Sequence, residues 1–342
     1  LGRVSSLRRE GGGRELCGPD GEAGTLPLNQ LVLYEDVPHM WDAWDIDPTY
    51  EDKASPVEHE PESVEIVEDG PLRAAVRVTR TMGRSSRIVQ TYVIEAASPR
   101  LDILTTVDWR ESRALLRAIF PTSVVSPRAT YEIQFGHVER PTRRNTSWDA
   151  AMFEVCAHRW MDLSEPGAGL ALLNDGKYGH SCHEGVMGLS LLRSPHHPDA
   201  GADVGSHEFT YSLIPHDGDW RAAGVDREAE ALNTPLIAYP LNPDEEGPLG
   251  RAWSPIEVVC NGSAGVAVSA FKRAEDGKGL VLRLWECRGG RGTLSIRWNL
   301  PAGSVRATDL LERDADGEGL SHSGGVTTVP LRPFQIVTLR SE

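Results

Sequence analysis

The fold class is decided by residues 72–109, which have the sequence LRAAVRVTRTMGRSSRIVQTYVIEAASPRLDILTTVDW. Apolar and polar residues alternate in three runs, 72–80, 88–94 and 101–109, and Gly, Pro or Ser residues separate these runs. Such alternation is typical of strands with one buried face and one wetter face. Residues 72–109 therefore predict three consecutive β-strands.

The same alternation recurs along the chain. Further strands are predicted at 131–135, 153–160, 169–173, 186–192 and 208–214. The best helical candidate, 226–232, is short, and a turn would explain it equally well. Short strands at regular spacing favour an all-β protein built of sandwiches or barrels over a parallel α/β fold.

A change in composition predicts a domain boundary. Residues 233–255 contain five prolines and the acidic sequence DEE at 244–246, which suits a connection. Strands are predicted after it at 256–260, 266–273, 279–287, 292–299, 305–311, 326–329 and 335–340. We therefore predict a large β-region at 1–232, a Pro-rich linker at 233–255 and a small antiparallel β-sandwich at 256–342.

The charge balance excludes one class of protein. The chain has 342 residues, and 35 Lys and Arg against 50 Asp and Glu give a net charge of −15. A nucleic-acid binder needs a basic surface, so that class is excluded. No apolar run approaches the about 18 residues that a membrane span needs. We predict a soluble protein with neither a nucleic-acid nor a membrane partner.

The cysteines and the first residues bear on compartment and completeness. The five cysteines are widely spaced and form no C-x-x-C pair, which argues against a disulfide framework or a thiolate zinc site and favours the cytoplasm. Only four of the 35 basic residues are lysines, a skew that a GC-rich bacterial genome would produce. The chain starts without Met or a signal segment, so we expect the C-terminal portion of a longer protein.

Indole rings and carboxylates alternate at 34–47, in the sequence YEDVPHMWDAWDID. Aromatic rings bind the apolar faces of sugars, and carboxylate oxygens accept hydrogen bonds from hydroxyl groups, so this segment is a candidate carbohydrate site. The alternative is an irregular loop whose tryptophans plug the end of a sandwich and whose aspartates cap turns.

Two more segments combine polar and aromatic residues. For TRRNTSWD at 142–149, sugar binding and packing both stay open. The sequence NDG at 174–176 predicts a tight turn between strands, with Lys177 and Tyr178 at the loop tip.

Metal ligands and nucleophiles are poorly supported. His180, Cys182 and His183 offer donor atoms, but no H-E-x-x-H spacing accompanies them, so no zinc is expected to be bound wholly within this chain. A nucleophilic serine has no G-x-S-x-G motif. A glycosidase would use two carboxylates, yet no spacing selects a pair.

Several motifs resemble one family in the correct order. They are NQLVLYED at 29–36, WDAWD at 41–45, RNTSWDA at 144–150, FEVCAHRW at 153–160 and LLNDGKYG at 172–179. Together they resemble the C-terminal half of the α-mannosidases of glycoside hydrolase family 38, in its cytosolic-type and bacterial branch.

The resemblance implies a galactose-mutarotase-like β-supersandwich followed by a smaller antiparallel β-sandwich. It also implies a retaining α-mannosidase whose nucleophile and zinc site lie on an N-terminal barrel outside this sequence. No catalytic residue and no metal ligand is therefore assigned here. The resemblance also implies that loops of this chain contact the substrate at the rim of the barrel's cleft. We expect these contacts from residues at one edge of the supersandwich, namely Trp41, Asp42, Trp44, Asp45, Asp175, Tyr178 and Arg193.

Two functions remain at this point. In the first, the chain shapes the active site of an enzyme that cleaves terminal α-mannosyl residues. Its partners are then an α-mannoside or oligosaccharide and the N-terminal barrel, and a second copy in a homo-oligomer is an open alternative. In the second, the chain is a stand-alone carbohydrate-binding module without catalytic activity.

Overall fold

The computed structural model describes residues 2–9, 13–20, 24–57, 60–240 and 252–342. The chain divides into two compact units. The first comprises Leu1–Glu132 and Val138–Leu236, and the second comprises Ile133–His137 and Ile237–Glu342. Part of the predicted linker, 241–251, lies outside the described residues.

Antiparallel strands build the first unit. They are β1 (Gly18–Asp20), β2 (Gly24–Leu26), β3 (Gln30–Glu35), β4 (Ala54–Pro56), β5 (Ser63–Asp69), β6 (Arg73–Met82), β7 (Ser86–Glu95), β8 (Leu101–Trp109), β9 (Ala114–Pro121), β10 (Arg128–Ile133), β11 (Gly136–Pro141), β12 (Val155–Cys156), β13 (Trp160–Glu165), β14 (Ala168–Asn174), β15 (Gly179–His183), β16 (Val186–Arg193) and β17 (Gly205–His216).

Two large sheets form the layers of this unit. The described strands give a nine-stranded sheet in the order β11-β10-β13-β14-β17-β8-β7-β6-β5 and a six-stranded sheet in the order β12-β15-β16-β9-β3-β4. In β8, every second residue from Ile103 to Trp109 is buried, and the residues between them are exposed. Ile103, Val107 and Trp109 join a core that also holds Phe120 and Tyr211. The all-β class predicted from the period-two pattern and the β-supersandwich that the resemblance implies are both confirmed.

One segment predicted as a single strand is divided between the sheets. Residues 153–160 contain β12, which pairs with β15 in the six-stranded sheet, and the first residue of β13, which pairs with β14 in the nine-stranded sheet. The chain crosses between the layers at 157–159. The strand predicted at 131–135 also ends early, at Ile133, because Phe135 takes a φ of 51° in a turn.

The helical candidate is a helix. Besides a 3-10 helix at Pro48–Lys53, the first unit contains α1 (Ser147–Ala150), α2 (Trp220–Ala223) and α3 (Val225–Asn233). Gly224 joins α2 to α3 with a φ of 71°, a conformation that suits glycine. Val225 and Ala229 of α3 pack with Trp160 and Trp220 in a second hydrophobic cluster. This packing stabilises a helix that is marginal on its own.

The second unit is the predicted smaller sandwich. Its strands are β18 (Ile256–Gly262), β19 (Val266–Arg273), β20 (Leu280–Glu286), β21 (Gly292–Trp298), β22 (Val305–Thr308), β23 (Ser321–Ser323), β24 (Val326–Leu331) and β25 (Ile336–Ser341). The described strands form two four-stranded sheets, β18-β21-β24-β23 and β19-β20-β25-β22, around Leu284, Ile296 and Leu339.

The strand predicted at 305–311 stops at Thr308. The Asp309 carboxylate accepts hydrogen bonds from the N–H groups of Leu311 and Arg313 at 2.8 and 2.9 Å, and these bonds turn the backbone.

No helix among the described residues is long and apolar enough to cross a membrane.

Candidate functional site

The candidate residues lie toward one end of the supersandwich, which we call the crossover end, and among them Arg193 contacts the 41–45 loop. The chain passes between the two sheets there four times, from β8 to β9 at 110–113, from β12 to β13 at 157–159, from β14 to β15 at 175–178, and from β16 to β17 at 194–204. The pairings Glu35↔Ala114, Arg193↔Leu115 and Gly205↔Trp109 put the last residues of β3, β8 and β16 at this same end. The loop 36–47, which follows β3, therefore starts beside the crossings at 110–113 and 194–204.

The two tryptophans of the loop face solvent. Trp41 is 65% and Trp44 is 72% exposed, so they do not plug the end of the sandwich. The carbonyl of Trp41 accepts hydrogen bonds from the N–H groups of Trp44 and Asp45 at 2.7 and 2.9 Å. Trp41 takes a φ of 59°, which is strained for a bulky side chain and is tolerated where the surroundings enforce it.

Arg193 holds the backbone of the loop in this conformation. Its guanidinium forms an ion pair with the Asp36 carboxylate, which is only 1% exposed. It also donates hydrogen bonds to the carbonyls of Asp42 at 2.8 Å, of Ala43 at 3.2 Å and of Asp45. These contacts make Arg193 the residue that holds the loop, and a direct contact between Arg193 and a sugar stays a prediction.

Asp42 connects the loop by hydrogen bonds to the crossing at 194–204. Its Oδ2 accepts the backbone N–H groups of His196 and His197 at 2.6 and 2.9 Å. Burial alone would raise the pKa of Asp42, but these two N–H groups and the nearby arginines hold it below its usual value. Asp45 accepts the N–H of Ile46 at 3.0 Å. The alternative that these aspartates cap turns is thus observed.

The turn at 175–178 is built by Asn174. This buried side chain accepts the N–H groups of Gly176 at 2.9 Å and Lys177 at 2.6 Å, and donates to the carbonyl of His158 at 2.9 Å. The turn joins strands of different sheets rather than two neighbours in one sheet. Tyr178 is 57% exposed, and its ring lies 5.3 Å from the His158 ring.

Lys177 does not extend from the loop tip. Its ammonium lies 4.3 Å from the centre of the Phe209 ring, a cation–π contact, and burial lowers its pKa. Asp175 accepts the N–H of Thr210 at 2.8 Å, and burial raises its pKa. Tyr178 is therefore the freer side chain of this turn.

Sequence analysis missed the crossing at 194–204 as a part of the site. His196 Nε2 lies 2.6 Å from the Ser112 hydroxyl, so this crossing also contacts the one at 110–113. The turn-forming sequence SPHHP at 194–198, between two predicted strands, is the signal that marks it as an end loop.

A zinc site does not fit the residues present. Across the ranges that the structure describes, no three His, Cys, Asp or Glu side chains are grouped to hold a metal ion. The ring of His180 is buried and instead contacts the carbonyl of Tyr178 at 3.2 Å.

Two family models match this chain. The Glycosyl hydrolases family 38 C-terminal domain matches residues 1–201, and the Glycosyl hydrolases family 38 C-terminal beta sandwich domain matches residues 265–339. The chain belongs to glycoside hydrolase family 38. The resemblance that the motifs indicated is thereby confirmed, and each β-region of this family 38 chain matches a C-terminal domain of the family.

Relatives of this family 38 chain carry the name α-mannosidase. Alpha-mannosidase 2C1 of Homo sapiens is 41% identical over 99% of this chain, and Alpha-mannosidase G of Dictyostelium discoideum is 38% identical over 99%. The chain spans 32% and 31% of their lengths. A crystal structure of an alpha-mannosidase from Enterococcus faecalis V583 shares the fold, with a TM-score of 0.75 and 18% identity over 96% of this chain and 40% of that one.

Acid should destabilise the crossover end through His180. Burial lowers the pKa of His180 to about 4, whereas in an unfolded chain it is about 6.5. Between these values the unfolded chain binds a proton that the folded chain does not, so the contribution of neutral His180 is complete above pH 6.5 and is lost as the pH falls. We expect a loss of about 2.5 kcal/mol between pH 7.5 and pH 4.5.

Urea unfolding of the native chain and of His180→Gln at both pH values measures this loss. The variant lacks the titrating ring, so its free energy of unfolding should fall less on acidification. Equal pH dependence in the two proteins would contradict the prediction.

Proposed function

We propose that this chain is the C-terminal region of a retaining α-mannosidase that removes terminal α-mannosyl residues. In this proposal the crossover end forms part of the rim of a zinc-dependent active site, and an N-terminal barrel of the same polypeptide supplies the nucleophile and the metal. The names of the relatives and the one-third share of their length support it. The cysteine spacing and the scarcity of lysine support a cytoplasmic enzyme of bacterial origin.

The main observation behind the proposal is that Trp41 and Trp44 are exposed on a loop whose backbone is fixed by Arg193. Exposure of Trp41 and Trp44 leaves apolar area in water, while the buried Arg193–Asp36 pair keeps the backbone beneath them fixed. A rigid aromatic surface binds the C–H face of a sugar without first losing conformational entropy. The 41–45 loop is therefore suited to orient a pyranose.

The polar groups around the indoles fit the same ligand. Asp45 and Tyr178 are exposed at the crossover end and offer a carboxylate and a phenol to sugar hydroxyls. Asp42, Asp175 and Arg193 already form hydrogen bonds within the chain: Asp42 with His196 and His197, Asp175 with Thr210, and Arg193 with Asp36. We assign these three residues to shaping the rim, and we assign Asp45 and Tyr178 to contacts with the sugar hydroxyls.

The test removes one indole from the complete polypeptide. Trp44→Ala should lower kcat/KM for an aryl α-mannoside about tenfold, which corresponds to about 1.4 kcal/mol of lost stacking. Because Trp44 is exposed, the melting temperature should change little. The matched control is Leu72→Ala, since Leu72 is 77% exposed at the opposite end of the nine-stranded sheet and should leave kcat/KM unchanged. Full activity of Trp44→Ala would refute the rim assignment.

Hydrolysis of an aryl α-mannoside by the complete polypeptide separates the two candidate functions. The enzyme proposal expects no zinc-dependent hydrolysis of an aryl α-mannoside by this chain alone, and hydrolysis by the complete polypeptide. The exposed indoles would also serve a carbohydrate-binding module, for which the complete polypeptide would bind mannosides without hydrolysing them.

A further inference from the structure

Trp148 is a further exposed aromatic residue of the first unit. It belongs to the segment 142–149, for which binding and packing both remained open, and it lies on the four-residue helix α1. Its indole is 83% exposed, so packing does not account for it. The segment therefore needs another explanation.

The loop under Trp148 is held in place. The Arg144 guanidinium donates to both carboxylate oxygens of Glu51, at 2.6 and 2.8 Å. The Phe153 ring lies 6.1 Å from the Tyr50 ring, and the Ser190 hydroxyl donates to Glu154 at 2.9 Å. The indole is thus presented by an anchored loop, not by a loose one.

Tyr50 and Glu51, which contact this loop, also connect it to the crossover end. Tyr50 and Glu51 belong to the 3-10 helix Pro48–Lys53, which follows the 41–45 loop directly in sequence. The N–H of Tyr50 bonds to the carbonyl of Asp47 at 3.0 Å, and the Asp47 carboxylate accepts the N–H of His39 at 3.0 Å. The loop of Trp148 and the loop of Trp41 and Trp44 thus share one support.

The surroundings of the indole favour a sugar over a protein partner. Arg143, Asn145 and Ser147 are exposed beside it, and Asp149 is half-buried. A stable protein interface buries about 800 Å² per partner around an apolar centre, and Trp148 with the neighbouring Met152, which is 38% exposed, provides only a small part of that area. One pyranose ring needs only an aromatic face and a few hydroxyl partners, and the amide of Asn145 and the carboxylate of Asp149 are such partners.

We propose that Trp148 forms an outer subsite that stacks on a sugar residue of an oligosaccharide, beyond the residue that is cleaved. This proposal rests on the proposed function and makes it more specific, because it assigns Trp148 to binding a sugar residue that is not cleaved. A short aryl mannoside would not reach Trp148.

The experiment compares two substrates with the complete polypeptide. Trp148→Ala should lower kcat/KM for α-mannotriose about tenfold and leave kcat/KM for 4-nitrophenyl α-mannoside unchanged. Trp148→Phe keeps an aromatic face and should recover most of the loss. The matched control is Trp253→Ala, which removes an exposed indole from the second unit and should change neither value.

Three results would overturn the proposal. They are unchanged hydrolysis of mannotriose by Trp148→Ala, equal loss on both substrates, and a lower melting temperature of the complete polypeptide, which would show that Trp148 packs against another part of the protein. If the wild-type polypeptide hydrolyses neither substrate, the proposed function fails instead. Mannotriose-induced change of tryptophan fluorescence that Trp148→Phe abolishes would then still support the subsite, and no such change would refute it.

Discussion

Replacing Arg193 with methionine is expected to lower the free energy of unfolding of the first unit by about 3–5 kcal/mol. The change leaves the Asp36 carboxylate, 1% exposed, without its ion pair. It also removes the donors to the carbonyls of Asp42 and Ala43. Since breaking one side of a buried pair costs far more than the pair contributes, this substitution should be among the most destabilising in the unit.

Urea unfolding measures the loss, and two further variants define its origin. Arg87→Met breaks an exposed pair with Glu62 and should cost less than about 1 kcal/mol. The double variant Arg193→Met/Asp36→Leu removes both buried charges and should recover part of the stability. The 41–45 loop would still lack its donors, so the complete polypeptide should lose kcat/KM in both Arg193 variants. A cost below about 1 kcal/mol for Arg193→Met would refute its role as the holder of the loop.

The second large effect is expected in the second unit, at Glu286. This side chain is fully buried, and its Oε1 accepts the N–H groups of Gly265 and Arg288 at 3.0 and 2.9 Å. Its Oε2 accepts those of Gly289 and Phe334 at 2.8 and 3.0 Å. Glu286→Ala leaves all of these donors without an acceptor, and we expect a loss of about 4 kcal/mol because each buried unsatisfied group costs about 1–3 kcal/mol.

Acid should reproduce part of this effect. Burial alone would raise the pKa of Glu286, but the backbone N–H groups hold it below its usual value. A lowered carboxyl pKa stabilises the folded state above the unfolded pKa of about 4.3, and that contribution is lost as the pH falls below it. The native chain should therefore lose more stability than Glu286→Gln between pH 6 and pH 3.

Unfolding of the second unit in urea, followed by tryptophan fluorescence, measures both effects. Glu257→Ala is the matched control, because Glu257 is exposed and its nearest cation, Arg297, lies 3.8 Å away. It should change the free energy of unfolding by less than about 1 kcal/mol. Equal losses in Glu286→Ala and Glu257→Ala would contradict the assignment of the buried carboxylate as the centre of these loops.

Strands could be predicted where apolar and polar residues alternate within a short stretch of sequence. The strand predicted at 266–273 coincides with β19, and the three runs of 72–109 became β6, β7 and β8 within two residues at each end. Period two follows from the geometry of a single strand, so a short window of sequence contains it. The helix α3 was uncertain because its stability depends on packing against Trp160 and Trp220, which are distant in sequence or lie on another element.

The sequence by itself determined the all-β class, the family and the two segments with exposed indoles, because composition, alternation and motif order are local properties of the chain. Only the tertiary structure decided which polar groups remain free. Arg193 and Asp36 are 157 positions apart, and Asp42 meets His196 across 154, so no local pattern shows that these groups are already paired. A side chain's availability to a ligand depends on every partner that the fold brings within hydrogen-bonding distance. Those partners here come from strands of two sheets and from the crossings between them.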